Sequence, residues 1–440
     1  MTLDHLENYL KVFEEINKSS VINGKPDLQN YRKKNWDEFV KTGIPVQRRG
    51  NERWKYTNLK PLLDLFQTPI KINDEDLKKY LESNIPVLDD QILIVLVNGM
   101  FSKNLSSNFE NIKGFNLITL DDSIFEIDEF YKNSKLNQDP FISLNYACLS
   151  DVIKINVEKN DSDAVINVVY VSVGDNSKKT INNPRVLISG EKESSFSLIE
   201  TYLEISDSSN SNFSNCVTEI ILKEDSLLNH YRILLEQNDS FHIGNTRVYQ
   251  SKGSEFNSIS YSRSPQIGSN EIKVHLQGSE SKCTLNGLYI TTGTQHMVND
   301  ISINHEKPNS ESHQYFKGIL SGKSRAIFSG KVLVEKDAQK TFADQKDLNL
   351  LLSKGAEIDT KPSLEIYADD VQCTHGATAG HVDKDTLFYL MSRGLDKKTA
   401  TGLLIKGFAD EIINNILLDE LKSFVHNDLA NILPELNFEG

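Results

Sequence analysis

Short alternating apolar and polar runs, separated by turns rich in Gly, Ser, Asn and Asp, fill this 440-residue chain from about Val152 to Val371 and predict a mainly β protein. A second observation favours a β-solenoid over a sandwich or barrel. A small or charged turn ahead of an alternating run recurs as SGEKESSFSLIE, LKEDSLLNHYRI, SKGSEFNSISYS, LQGSESKCTLNG and LSGKSRAIFSGK, at an irregular spacing of roughly 25–45 residues. A third is the change to helical period at both ends. The resulting organisation is a mostly helical N-terminal region over 1–150, a β core over 151–380 and a helical C-terminal region over 381–440.

Taken in order, LDHLENYLKVFEEIN places Leu6, Leu10, Phe13 and Ile16 on one helical stripe. PDLQNYRKKNWDEFVKTG predicts a second helix, stopped by Gly43 and Pro45. RRGNERWKYTNLKPLLDLF is aromatic-rich without helical period, and Trp54 and Tyr56 in it read as a core cluster or as a ligand shelf. Ile92–Val97 followed by Asn98-Gly99 predicts a buried strand entering a tight turn. After the β core, DKDTLFYLMSRGL has Asp385 as N-cap and Gly394 at the C′ position. The next segment places Leu403, Leu404, Phe408, Ile412 and Ile416 on one face. Such helices are expected to seal the open end of a solenoid, which otherwise leaves backbone unpaired; docking a partner is the alternative.

Composition narrows function. Lys and Arg number 48 against 62 Asp and Glu, a formal net charge of −14, which argues against a nucleic-acid binder. The longest apolar run, ILIVLV, is far short of the ~20 residues of a membrane span, and acids near the N-terminus are unlike a signal peptide. Cys148, Cys216, Cys283 and Cys373 form no C-x-x-C pair, which suits isolated thiols in a reducing cytoplasm.

Several motifs fail on spacing. SGKS at Ser321–Ser324 has Lys317 where a P-loop needs its first glycine, and lies among strands. His296, His305 and His313 are too widely spaced to fix a metal geometry and read as packing residues. Asp369 and Asp370 evoke the paired acids of a carbohydrate-active β-helix enzyme, but adjacent strand residues face opposite ways. The segment ADDVQCTHGATAG stands out. If it is extended, Cys373 and His375 share one face, where a thiolate and an imidazole can approach the same soft metal or sulfur species. Two ligands do not close a site; the rest must come from elsewhere, another chain included. The alternative is a small buried thiol beside a hydrogen-bonded histidine.

The stretch from Ala338 to Leu395 that contains this segment resembles the C-terminal core of the SufB/SufD family of iron–sulfur cluster assembly proteins. HEKPNSESHQYFKGILSGKSRAIFSGKVLVEKDAQ is similar to a block shared by both branches, and ERWKYTNL and LVNGMFS are similar to N-terminal signatures of the SufD-type branch. LLSKGAEIDTKP has no cysteine where the SufB branch carries one, and Gly376 replaces that branch's second glutamate. Both features favour the SufD-type branch; QHMVND departs from the family pattern.

The resemblance implies a right-handed parallel β-helix between helical regions. It implies a complex with SufB, paired through the ends of the two β-helices, and with the ABC-type ATPase SufC. SufC docking falls to the C-terminal helices, with Leu387, Phe388, Arg393, Leu403, Leu404 and Phe408 as candidates. His375 and, less directly, Cys373 map to the interface where iron or a nascent cluster is shared with SufB. No catalytic residue and no stably held cofactor are implied. A transient iron or iron–sulfur cluster, a reduced flavin within the complex, a homodimer of the isolated chain and a cytoplasmic location all fit, and a purely structural brace is the nearest competing role.

Overall fold

The computed structural model describes residues 3–18, 26–47, 51–64, 66–68, 74–109, 112–120, 139–159, 164–174, 179–205, 211–236, 239–436 and 438. Its strands form two long sheets. One runs β2 (Met100–Phe101), β1 (Ile92–Val97), β5 (Ala164–Val173), β8 (Ser195–Ile205), β10 (Leu227–Leu235), β12 (Glu255–Arg263), β14 (Lys282–Thr291), β16 (Glu311–Leu320), β18 (Thr341–Leu351), β20 (Val371–Gly380). The other runs β3 (Phe115–Thr119), β4 (Ile153–Val157), β7 (Arg185–Gly190), β9 (Asn212–Leu222), β11 (Phe241–Gln250), β13 (Ile267–Leu276), β15 (His296–His305), β17 (Arg325–Val334), β19 (Glu357–Ile366), with β6 (Thr180–Asn182) paired beside β9. From β8 onward the chain alternates between the sheets, and every ladder is parallel. The result is a β-solenoid of about seven turns flanked by helices.

The recurring turn motif has a physical basis. Glu193, Asp225, Gly253, Glu280, Asn309 and Lys340 all take positive φ, and they fall on one corner of successive coils. Each donates its N–H to a carbonyl of the next coil, as Asp225 does to Lys252 at 3.0 Å and Asn309 to Gln339 at 3.0 Å. The next residue is a buried Ser or Thr; the hydroxyls of Ser226, Ser254, Ser281, Ser310 and Thr341 donate to the carbonyl three residues back. A short polar side chain closes the corner where a larger one would not fit. Four of the five quoted motifs are this corner. The fifth, LSGKS, belongs to another: Gly322 (φ 72°) packs against the Gly293 backbone, and its N–H donates to Ser353 Oγ at 3.0 Å. Mixing two corners made the repeat look irregular.

The solenoid interior is filled by inward residues of both sheets, among them Leu198, Phe196, Ile220, Phe256, Ile272, Leu285, Ile301, Phe316 and Phe328. Its first coil is finished by the chain itself. Asn98 and Gly99, both at positive φ, turn β1 into the antiparallel β2. Beyond them the N–H groups of Leu93 and Val95 donate to Ser107 and Ser106 Oγ, both at 2.9 Å. Edge donors are thereby removed from competition for other strands.

The N-terminal helices are α1 (Leu3–Asn17), α2 (Pro26–Thr42), α3 (Asp74–Asn84) and α4 (Pro140–Ala147). In α1 the fully buried positions are Tyr9, Val12 and Ile16, while Leu6, Leu10 and Phe13 lie at the margin. The stripe is rotated from the expected one because Tyr9 is anchored through its hydroxyl to the Leu62 carbonyl. Gly43 (φ 60°) ends α2 as expected. Trp54 is core, edge-on to Phe141 at 5.4 Å, not a shelf. Beside it the half-buried Arg53 pairs with Asp139, Glu271 and Asp300 and pins this segment to the second sheet. Those carboxylates hold Arg53 firmly cationic against burial, and three cations around Glu271 hold its carboxyl well below the usual range.

After β20 come α5 (Lys384–Ser392), α6 (Lys397–Ile413) and α7 (Asp419–Ile432). Asp383, not Asp385, caps α5, accepting from the Asp385 and Thr386 N–H groups at 3.3 and 3.1 Å; Gly394 (φ 97°) follows its end as expected. The expected seal over the solenoid end is not what these helices provide. They turn back along the outer face of the first sheet, where Ala400, Ile405, Ala409, Ile412, Leu421, Val425 and Leu429 pack on Ile233, Tyr261, Leu288, Ile290 and Ile319. Each large aliphatic side chain buried there is worth about 1.5–3 kcal/mol. Polar ties fix the position: Lys317 donates to the Phe408 carbonyl at 2.9 Å and pairs with Glu411 at 2.6 Å, and Tyr261 and Arg263 hold Asp428 at 2.7 and 2.9 Å. None of the described helices is long and apolar enough to cross a membrane.

Candidate functional site: the open end of the solenoid

With the helices on the flank, the last coil has nothing above it among the described residues. β20 pairs only with β18, and β19 only with β17. Parallel register puts Cys373 over Ala343, His375 over Gln345, Ala377 over Asp347 and Ala379 over Asn349. Those four partners are buried inward residues, and paired residues share a face, so Cys373 and His375 both point to the interior side of a coil whose interior is open. The structure thus brings the two candidates onto one face, as the alternation predicts. Gln372 and Thr374 face outward, and Thr374 donates to Asp344 at 2.6 Å.

The two differ in environment. Cys373 is half-buried against the cluster of Val332, Val334, Ala338, Ala343 and Ala368, and this burial pushes its thiol up. Metal capture uses the thiolate, so Cys373 is held as the poorer donor at neutral pH. His375 is exposed, and its ring makes no hydrogen bond among the described residues. The floor below it was not legible from local sequence. Gln345 donates from Nε2 to Gln314 Oε1 at 3.2 Å, Asn349 donates to Asp347 at 2.8 Å, and Tyr289 donates to Asn349 at 2.5 Å. Burial pushes the Asp347 carboxyl up to about 7, with the Asn349 hydrogen bond the largest opposing influence. The available signal was periodic: Gln314, Gln345 and His375 recur once per coil.

The second candidate surface is the helical module. Phe388 is 73% exposed and Leu403 50%, and Tyr389 and Met391, which sequence reasoning missed, are exposed beside Phe388 in the chain. Arg393 is also exposed, its guanidinium 5.2 Å from the Tyr389 ring. Leu387, by contrast, is only 7% exposed and lies in the layer between helices and sheet. Leu404 and Phe408 are half-buried in that layer, and the Lys317 ammonium lies 4.1 Å from the Phe408 ring. The predicted stripe holds Ile412 and Ile416, both buried in the layer, but it includes the exposed Leu403 and leaves out Ile405 and the small Ala400 and Ala409, which let α6 lie close to the sheet.

The remaining histidines stay apart. His296 meets Thr57 at 3.0 Å, His305 sits between Ser310 and Ser312 at 2.7 and 2.8 Å, and His313 packs on Phe342. Cys148, Cys216 and Cys283 are buried free thiols raised by burial. Asp370 is a turn residue whose carbonyl accepts from Lys340. Among the described residues no three His, Cys, Asp or Glu side chains gather as a metal set.

Fold and site together define a β-solenoid whose candidate side chains stand at an open strand edge rather than in an enclosed pocket. Residues 157–408 match the family described as SUF system FeS cluster assembly, SufBD core domain, and residues 3–166 match the SufBD protein N-terminal region. The chain belongs to the SufBD family and takes part in iron–sulfur cluster assembly by the SUF system. It is 30% identical to an iron–sulfur cluster assembly SufBD family protein of Synechocystis, over 94% of this chain and 93% of that one. It is 26% identical to the iron–sulfur cluster assembly protein SufD of Escherichia coli, over 90% and 91% of the two chains.

Proposed function

We propose that this chain is a non-catalytic scaffold subunit of the SUF complex, pairing with SufB through the open end of its solenoid and carrying the SufC ATPase on its C-terminal helices. The observation that carries this reading is the uncovered last coil. It leaves the unpaired edge of β20 beside an exposed histidine on the inward face, a surface that a second β-solenoid could extend. Iron or a nascent cluster is the cargo, held between His375 and donors from SufB, with Cys373 as a secondary ligand. The isolated chain holds no cofactor stably, and any reduced flavin belongs to the assembled complex. In isolation the same edge admits a homodimer. The cytoplasm suits its free thiols.

On the helices, Phe388, Leu403 and Arg393, joined by Tyr389 and Met391, form the SufC-facing group, since large exposed apolar side chains mark interaction surfaces. The test is anaerobic co-purification with SufB and SufC homologues, followed by iron and sulfide analysis. His375→Ala is expected to leave the complex assembled but depleted of iron. A purely structural brace predicts instead that His375 and Cys373 can both be replaced without loss.

A further inference from the structure

We propose that Gln345 is the positioning residue for His375: once the exposed ring turns inward, the side-chain oxygen, unpaired in this structure, accepts its N–H, fixes the tautomer and leaves the other ring nitrogen towards the open end. The inference rests on the reading of His375 as a ligand, and four observations carry it. Gln345 lies directly beneath His375 in the β18–β20 register, one strand spacing of about 4.8 Å away. It is only 1% exposed, so its amide belongs to the interior. Its Nε2 is committed to Gln314 Oε1 at 3.2 Å, whereas its Oε1 is buried without a hydrogen-bond partner. The ring above has no hydrogen bond among the described residues.

A buried acceptor left unpaired is destabilising, and a neutral imidazole needs one N–H bonded to define which nitrogen offers its lone pair. Each group supplies what the other lacks. Asp347 Oδ1 also lacks a partner, but register places it beneath Ala377, not His375. Space for the amide is kept open by Gly330, where a Cβ would collide with it.

The test is nitrogen-15 NMR of histidine-labelled full-length chain at pH 8, where an ordinary imidazole is neutral. In the native chain one tautomer of His375 is expected to dominate. Gln345→Leu should relax it towards a mixture, and Gln345→Glu, which retains an acceptor, should restore a single tautomer. Gln345→Met, of similar length without an acceptor, serves if the leucine variant fails to melt as a folded protein. Identical tautomer populations in the native chain and the Leu or Met variant would overturn the proposal. In the co-purified complex, loss of Gln345 is expected to weaken iron binding by about 10–100-fold. If His375→Ala keeps its iron while the tautomer shift is seen, the ligand reading fails and the positioning contact stands.

Discussion

The two ends of the solenoid are built on opposite plans. At the first coil, β1 is covered by its own antiparallel neighbour and by the Ser106 and Ser107 hydroxyls. At the last coil, β20 and β19 stop without a partner among the described residues, although a helical module follows at once and could have lain across them. An exposed parallel edge is a liability that chains usually blunt. Blunting one end and leaving the other bare is the contrast on which the proposed pairing at the bare end rests.

The largest expected effect that could break this comparison is in core packing. Ile94→Ala, in the finished coil, should cost about 2–5 kcal/mol in denaturant unfolding. Val371→Ala, half-buried in the open coil, should cost only about 1 kcal/mol in the isolated chain and more once the partner is bound; equal costs in the isolated chain would show that the last coil is covered. Next comes acidity. The Asp347 carboxyl, raised to about 7, binds a proton in the folded state that the unfolded chain releases near pH 4, so its contribution is present at low pH and fades as pH rises from about 4 to 7. Melting temperatures of the native chain and Asp347→Asn should therefore diverge in favour of the variant between pH 5 and 8; parallel curves refute this. Ser106→Ala removes the acceptor of the Val95 N–H and should lower stability by about 1 kcal/mol in thermal melts. Smallest is Gly407→Ala: Gly407 is exposed in α6 and a Cβ there meets nothing, so the variant should gain about 0.5–1 kcal/mol.

Much of the fold was legible because its signals are local. Alternation located the strands, and the αL-Ser corner produced the repeat, although Asn309-Ser310 and Lys340-Thr341 were missed and LSGKS was mixed in. Period two alone put Cys373 and His375 on one face. What failed was non-local. The docking of α6 and α7 is decided by Tyr261, Arg263 and Lys317, which in sequence look like ordinary outward strand residues. Gln345 could not be linked to His375 until the coils were stacked, since no local pattern says which residues lie above one another.

The clamps on α6 and α7 have a mechanical corollary. Lys317 and Arg263 fasten those helices to β16 and β12, so load applied there spreads across several coils. Helix α5, by contrast, joins β20 through only His381–Asp383, and β20 is held by a single ladder. A tug on α5 is therefore shared between the layer that Leu387 enters and the outermost strand, and the imidazole at the mouth rides on that strand.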